Sequence, residues 1–320
     1  MKISQFMERN YRHFNARETL ASAKCYKQFI EDGGKMLISL AGAMSTAELG
    51  ITLAEMIRQG KVHAISSTAA NLEEDLFNLF AHNEYRVIQD WRALSADDEV
   101  ELYEKGFNRV TDTCIPETVM MHMQERLTKY WVEQGEKGEG LFPYEYFYKL
   151  LDDDDLKQHY QIPIEESWVY AAKQKNLTIY SPGSEDSTLG NMFTARVMDG
   201  TVKTHHALKS GTQQLEVLAQ WYRQECKSGP IGFFQIGGGI AGDFAICAVP
   251  MLIQDLEEEV PMWSYFSQIS DASTSYGGYS GAVPNEKITW KKLSKESPKF
   301  MIQSDATIVA PLIFAYVLGQ

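Results

Sequence analysis

Short apolar runs bounded by glycine or polar residues alternate with longer amphipathic stretches, the pattern of a parallel sheet whose strands are joined by helices. Met36–Ala41 (MLISLA), set between Gly33-Gly34 and Gly42, reads as a strand. Thr46–Gln59 follows as a helix and Val62–Ser67 as a second strand. Asn71–Phe80 starts another helix, with Glu73, Glu74 and Asp75 in its first turn, where the helix dipole favours negative charge. After a less regular middle third the alternation resumes. Leu177–Tyr180 is a strand entering the polar loop Ser181–Gly190, Thr212–Cys226 a helix, Ile231–Ile236 a strand and Ile240–Leu256 a helix. Met262–Ile269 and Phe300–Gln303 are further strands, and Asp305–Leu318 is an apolar closing helix. The expected fold is α/β: a Rossmann-like parallel sheet with helices on both faces. It forms a single large domain over residues 1–320, with a mostly helical middle section, residues 83–170, inserted in it. Within that section Ser95–Gly106 reads as a capped helix and Gln134–Gly140 as a loop. The acidic run Asp152–Asp155 reads as a solvated helix start or loop; calcium is the lesser reading, because EF-hand spacing is absent.

Composition narrows the function classes. The 44% hydrophobic and 23% charged content is ordinary for a globular protein. With 30 basic and 43 acidic residues, the net charge of −13 lacks the basic footprint of a nucleic-acid binder and suits a cationic small molecule. Cys25, Cys114, Cys226 and Cys247 are scattered without a CxxC, which points to reduced thiols in a cytoplasmic protein and away from disulfides or structural zinc. Residues 1–20 have no apolar core of a signal peptide. Phe233–Ile253 is mostly apolar, but Asp243, Pro250 and its glycines make it a strand, a glycine turn and a helix in preference to a membrane span.

Several segments offer chemistry. Gly237–Gly242 (GGGIAG) fits G-x-G-x-x-G between a strand and a helix, where glycines let a backbone approach a pyrophosphate; a turn needed only for helix–sheet packing fits as well. Ser275–Gly281 (SYGGYSG) is a second glycine-rich loop leading into Pro284–Lys292. A lysine near an aromatic and a carboxylate becomes an imine-forming nucleophile if burial favours its neutral form, and a solvated hairpin with rim lysines is the plainer alternative. His205-His206 lack companion ligands in sequence, so no metal is expected. No G-x-S-x-G, H-E-x-x-H or Walker loop is present.

Together these segments resemble the deoxyhypusine synthase family. The resemblance rests on Thr68-Ala69-Ala70-Asn71-Leu72-Glu73-Glu74-Asp75-Leu76, Asp186-Ser187-Thr188-Leu189-Gly190 and Gly237-Gly238-Gly239. It is most specific in Ser280-Gly281-Ala282-Val283-Pro284-Asn285-Glu286 running on to Trp290-Lys291-Lys292, and continues in Gln303-Ser304-Asp305-Ala306. The order holds from about residue 13 to the C-terminus, with the shorter N-terminus of the bacterial deoxyhypusine synthase-like proteins. The resemblance implies that Lys292 is the nucleophile, with Lys291 where the family commonly has glycine. It implies that Trp290 and Glu286 hold the polyamine and that Glu73 and Glu74 lie beside the amine and the cofactor. NAD would contact Gly42, Ala43, Met44, Ser45, Thr46, Thr68, Ala69, Ala70, Glu74, Asp186, Gly238, Asp271, Ala272, Asp305 and Ala306. It also implies a homotetramer built from dimers, with active sites at the dimer interfaces.

Departures fall on the polyamine side. Asp243 stands where the protein-modifying synthases have a histidine, and Asn191 and Tyr279 stand where they have aspartates. The mechanism is therefore expected to persist on a different amine. The favoured reading is an NAD-dependent transfer of an aminobutyl group, without net redox, from a polyamine such as spermidine to a small amine, homospermidine-synthase-like. Alternatives are modification of a lysine on the hypusine-bearing translation factor, or a catalytically silent NAD or polyamine binder.

Overall fold

Six of the apolar runs are strands of one sheet. The computed structural model describes residues 1–274 and 276–320. β1 (Lys35–Leu40), β2 (Ala64–Ser67), β3 (Ile179–Tyr180), β4 (Ile231–Ile236), β5 (Tyr265–Ser270) and β6 (Lys299–Gln303) all run parallel, in the order β3-β2-β1-β4-β5-β6. This is the doubly wound, Rossmann-like order, and its direction reverses between β1 and β4.

Side chains alternate across a strand, and both faces here are apolar. Met36, Ile38 and Leu40 of β1, with Phe234 and Ile236 of β4, join one core with Tyr26, Leu53, Ile57 and Phe314. These partners come from the helices Phe14–Glu31, Gly50–Arg58 and Ala306–Leu318. Leu37, Ile231, Phe233 and Phe266 face the other side, against Leu218 and Tyr222 of helix Gly211–Glu225 and Ala245 of helix Gly239–Ile246.

Several helix ends differ from the sequence-based expectation. The helix expected over Thr46–Gln59 begins only at Gly50, because buried side chains take the amides of Ser45 and Thr46 and Glu48 is left-handed (φ 55°). Ile240–Leu256 is broken: helix Gly239–Ile246 is followed by the short turn Ala248–Pro250 and a π-turn, Met251–Asp255, since Pro250 has no N–H to continue the ladder. Gln134–Gly140 is a loop only at its end. Helix Val119–Lys137 runs through it and stops at the left-handed Gly138 (φ 70°). The segment 83–170 also contains a small antiparallel sheet of Arg86–Val87, Thr113–Pro116 and Phe107–Val110, in that spatial order. Asp152–Asp155 ends one helix and caps the next, with Asp153 accepting from Arg126 at 2.9 Å. Among the described residues no helix is long and apolar enough to cross a membrane.

Asn71, fully buried near the start of helix Ala69–Ala81, ties the loop after β1 to the fold. Its Nδ2 donates to the Gly42 carbonyl at 2.9 Å and to Thr68 Oγ1 at 2.8 Å, while its Oδ1 accepts from Ser45 N at 2.9 Å. Asn71→Ala strands these groups, and unfolding by denaturant is expected to show a loss of about 2–4 kcal/mol. Unchanged stability would remove Asn71 from that role.

Candidate active site

The strand order places a crevice at the C-terminal edge of the sheet, where open α/β sheets bind ligands. A cleft of about 1130 Å³ lies there, lined by residues that follow β1, β4, β5 and β6. Gly42, Ala43, Met44, Thr46, Gly238, Asp271, Asp305 and Ala306 line it, as does Ser280; Val87, Trp91 and Val110–Thr113 of the segment 83–170 form a further wall. Other residues expected there stand behind the lining. Ser45 accepts from Trp168 Nε1 at 2.9 Å, Thr68 Oγ1 donates to the Gly42 carbonyl at 2.8 Å, and Glu74 accepts from Thr46 N at 3.3 Å. Ala69, Ala70, Asp186 and Ala272 do not line the cleft. Thr46 Oγ1 and His82 Nδ1, on lining residues, are buried without a partner.

A second pocket of about 490 Å³ shares Gly239 with the cleft and is lined also by Leu215, Ile240, Asp243, Phe244, Cys247 and Tyr279. The Lys292 ammonium donates to Asp243 Oδ1 at 2.9 Å and lies 5.3 Å from the Tyr279 ring centre and 6.0 Å from that of Trp290. Lys292 itself is 7% exposed. Its backbone is fixed too, as its N–H donates to the Lys287 carbonyl (3.0 Å) and its carbonyl accepts from Trp263 N (3.1 Å). Cys247 Sγ is 3.5 Å from Asp243 Oδ1, and burial raises the thiol pKa.

The loop carrying Tyr279 is seated by glycine and glutamine. A Cβ on Gly238 would lie 2.0 Å from Ser280 Oγ and 2.7 Å from Ser280 Cα, so only glycine allows this approach. Gly239 N donates to Ser280 Oγ at 3.1 Å. Gln235 of β4 and Gln268 of β5 sit opposite each other in register. Gln235 accepts from the Tyr279 hydroxyl at 2.7 Å, and Gln268 donates to the Ser280 carbonyl. The triple glycine thus serves packing at Gly238, and Ser275, which opens the loop in sequence, lies outside the described residues.

A family model for deoxyhypusine synthase matches residues 4–317. The chain belongs to the deoxyhypusine synthase family. A deoxyhypusine synthase-like protein from Nostoc punctiforme is 29% identical over 303 residues, 92% of this chain and 74% of that protein. One from another Nostoc strain is 29% identical over 315 residues, 96% of this chain and 78% of that protein. The crystal structure of a candidate deoxyhypusine synthase from Entamoeba histolytica superposes with a TM-score of 0.61 at 13% identity, covering 100% of this chain and 94% of that one. Membership in the deoxyhypusine synthase family supports a transferase.

Among the family-motif residues, the structure brings Lys292, Asp243, Tyr279 and Trp290 together, but not all the others. Glu73 is buried with its carboxylate accepting from Thr188 N (3.0 Å) and Leu189 N (2.9 Å), as a cap of helix Thr188–Met198. Asn191 is exposed and donates to the Glu185 and Ser187 carbonyls, both at 2.8 Å. Glu286 is exposed at the start of helix Glu286–Thr289. Sequence reasoning missed Asn71, Gln235, Gln268, Ser280 and Lys287. The glutamines carried a visible signal, a polar residue inside each of two apolar strand runs (IGFFQI and YFSQIS). Among the described residues no cluster is arranged to hold a metal ion.

Two predictions test this geometry. Burial pushes the Glu74 carboxyl up to about 7 from an ordinary 4.5. Folding therefore disfavours its ionised form: the cost is absent below pH 4.5 and complete above about pH 7. Glu74→Gln is expected to gain in unfolding midpoint over the parent as pH rises through that window; a constant difference would refute the assignment. Lys291 is left-handed (φ 58°) where the family commonly has glycine. Lys291→Gly should relieve strain and stabilise by roughly 1 kcal/mol in denaturant unfolding, with a loss of stability as the contrary result.

Proposed function

We propose that the protein is a cytoplasmic NAD-dependent transferase. It moves an aminobutyl group from a polyamine, through an imine on Lys292, to an acceptor amine that is itself a small molecule. The observation that carries this reading is a buried lysine paired with Asp243, a residue that lines a pocket meeting the switch-point cleft at Gly239.

The cleft suits a dinucleotide. Gly239 opens a helix with nothing within 4 Å of where its Cβ would be, which leaves room for a ligand against the backbone. The backbone of Gly42–Met44 and Gly238, together with Asp271, Asp305 and Ala306, would hold NAD along the strand ends, with Ser45, Thr68, Ala69, Ala70, Glu74, Asp186 and Ala272 supporting from behind or from a neighbouring copy. When bound, NAD supplies a hydride acceptor for the carbon beside the substrate amine and returns that hydride at the end, so none is consumed.

The chain's own residues do the transfer. The Lys292 ammonium first passes a proton to Asp243; the free amine adds to the iminium carbon to form a new C–N bond, and the original C–N bond breaks as the departing diamine takes up a proton from the Lys292 nitrogen. Asp243 accepts the proton's hydrogen bond and keeps the Lys292 nitrogen at the pocket. The acceptor amine then displaces Lys292 by the same exchange. Trp290, Tyr279 and Glu286 offer aromatic faces and a carboxylate to the ammonium groups. Glu73 and Asn191 are assigned there only if a second copy brings them in. Transimination needs a shielded site, whereas the single chain leaves Trp290 66% and Ile240 53% exposed. That supports a homotetramer with active sites at dimer interfaces.

Two departures favour a small acceptor. Asp243 is taken up by Lys292, and the Tyr279 ring fills a place where the protein-modifying synthases have a carboxylate. Incubating the protein with NAD and aminobutyl-labelled spermidine, with putrescine or the hypusine-bearing factor as acceptor, and weighing products by mass spectrometry tests the reading. Label is expected in a small polyamine, and Lys292→Ala should lower the yield by roughly 1000-fold or more. Label on a protein lysine would establish the alternative, and net NADH accumulation would point to a simple dehydrogenase. No product from any diamine, agmatine or spermidine would leave a silent binder.

A further inference from the structure

The loop 42–48 follows β1 and lines the cleft through most of its length. Side chains of two helices hold it from behind. Helix Ala69–Ala81 supplies three: Asn71 and Glu74 accept from the amides of Ser45 and Thr46, and Asn78 Nδ2 donates to the Ser45 carbonyl at 2.7 Å. A fourth arrives from far along the chain. Trp168, the first residue of helix Trp168–Gln174, donates its indole N–H to Ser45 Oγ at 2.9 Å.

Trp168 is fully buried, so its N–H must find a partner inside the protein. Trp263, equally buried, donates to a backbone carbonyl, that of Ile246, at 3.0 Å. Trp168 uses a side chain of the cleft loop instead. Asp75 and Gly50 fix where its indole points. Asp75 accepts from Val169 N at 3.1 Å, from Trp168 N at 3.4 Å and from the Ser167 hydroxyl, which anchors the start of the helix. Gly50 lies against the ring: a Cβ there would be 2.8 Å from Trp168 Cδ1 and 3.0 Å from Asp75 Oδ1. Ser45 is 1% exposed, so the bond is shielded from water and its loss would leave a buried group unpaired. The segment 83–170 that carries Trp168 also walls the cleft, through Val87, Trp91 and residues 110–113. It therefore borders the ligand space and also reaches the loop from behind.

We propose that Trp168 is a positioning residue for cofactor binding: its indole N–H, acting through Ser45, holds the loop 42–48 in the shape that receives the dinucleotide. This rests on the reading of the cleft as an NAD site. Trp168 itself does not line the cleft. What it sets is how much of the loop's order exists before the ligand arrives, and a loop ordered beforehand costs less to fix on binding.

Trp168→Phe removes the N–H and keeps an aromatic ring. In the whole protein without ligand, hydrogen–deuterium exchange read by mass spectrometry is expected to quicken about five- to tenfold over residues 42–48, as for one lost buried hydrogen bond, and to stay unchanged over β1. Calorimetric titration with NAD should show binding about five- to tenfold weaker. Ser45→Ala removes the acceptor of the same bond, so adding Trp168→Phe to it should weaken NAD binding no further. Ser45→Ala also carries the exchange measurement if Trp168→Phe fails to fold.

A tryptophan that only fills the core would lower the unfolding midpoint and leave NAD affinity where it was. Unchanged exchange over 42–48, unchanged affinity in Trp168→Phe when the parent binds NAD, or additive losses in the double variant each overturn the proposal. A parent protein that binds no NAD, yet loosens over 42–48 in Trp168→Phe, overturns the NAD reading and leaves the hold of Trp168 on the loop standing.

Discussion

The close approach of the Ser280 backbone to Gly238 is the constraint on which both pockets depend. Gly238 lies in the turn between β4 and helix Gly239–Ile246, and Ser280 belongs to the loop that carries Tyr279, so this contact fixes how far the strand-end cleft lies from the lysine. A side chain at position 238 would push that loop off the sheet. Gln235 and Gln268 then hold the loop from below, one through the Tyr279 hydroxyl and one through the Ser280 carbonyl. Buried amides of this kind are tolerated in a parallel sheet only when their hydrogen bonds are made, and here they are made to the loop.

Acidic side chains divide into architecture and chemistry. Glu73 and Asp75 project from one helix to the starts of two others, Thr188–Met198 and Trp168–Gln174, and their carboxylates receive backbone N–H groups there. Helix N-termini attract such carboxylates. Asp243, by contrast, faces Lys292. The overall charge of −13 is therefore a poor guide to the site, since much of it is solvated or engaged in holding helices.

The six strands were legible because a parallel strand buried on both faces reads as a short apolar run. The boundaries of the helix after β1 were not, because they depend on tertiary hydrogen bonds from Asn71 and Glu74. The antiparallel strands of the segment 83–170 are short and partly exposed, with Arg86 and Val87 both open to solvent, so they carry no apolar alternation to detect. At the site, Lys292 was visible through its motif, whereas Lys287 was hidden. Lys287, Lys291 and Lys292 look alike in sequence, and only the approach of Phe266 from β5 shows that one of the others is also buried.

The sheet order has a consequence for how the chain folds. β1 lies at the centre and pairs with β4, joining Lys35 to Ile231 and Leu40 to Ile236. The central ladder therefore waits until most of the polypeptide has been made, and the edge from Tyr265 to Gln303 comes later still. Such non-local parallel pairing is slow and leaves apolar strand edges uncovered in the meantime. Lys292 is thus carried on one of the last segments to join, and the two pockets arise together at the end of folding, so that an incompletely folded chain exposes sticky strands before it possesses a reactive amine.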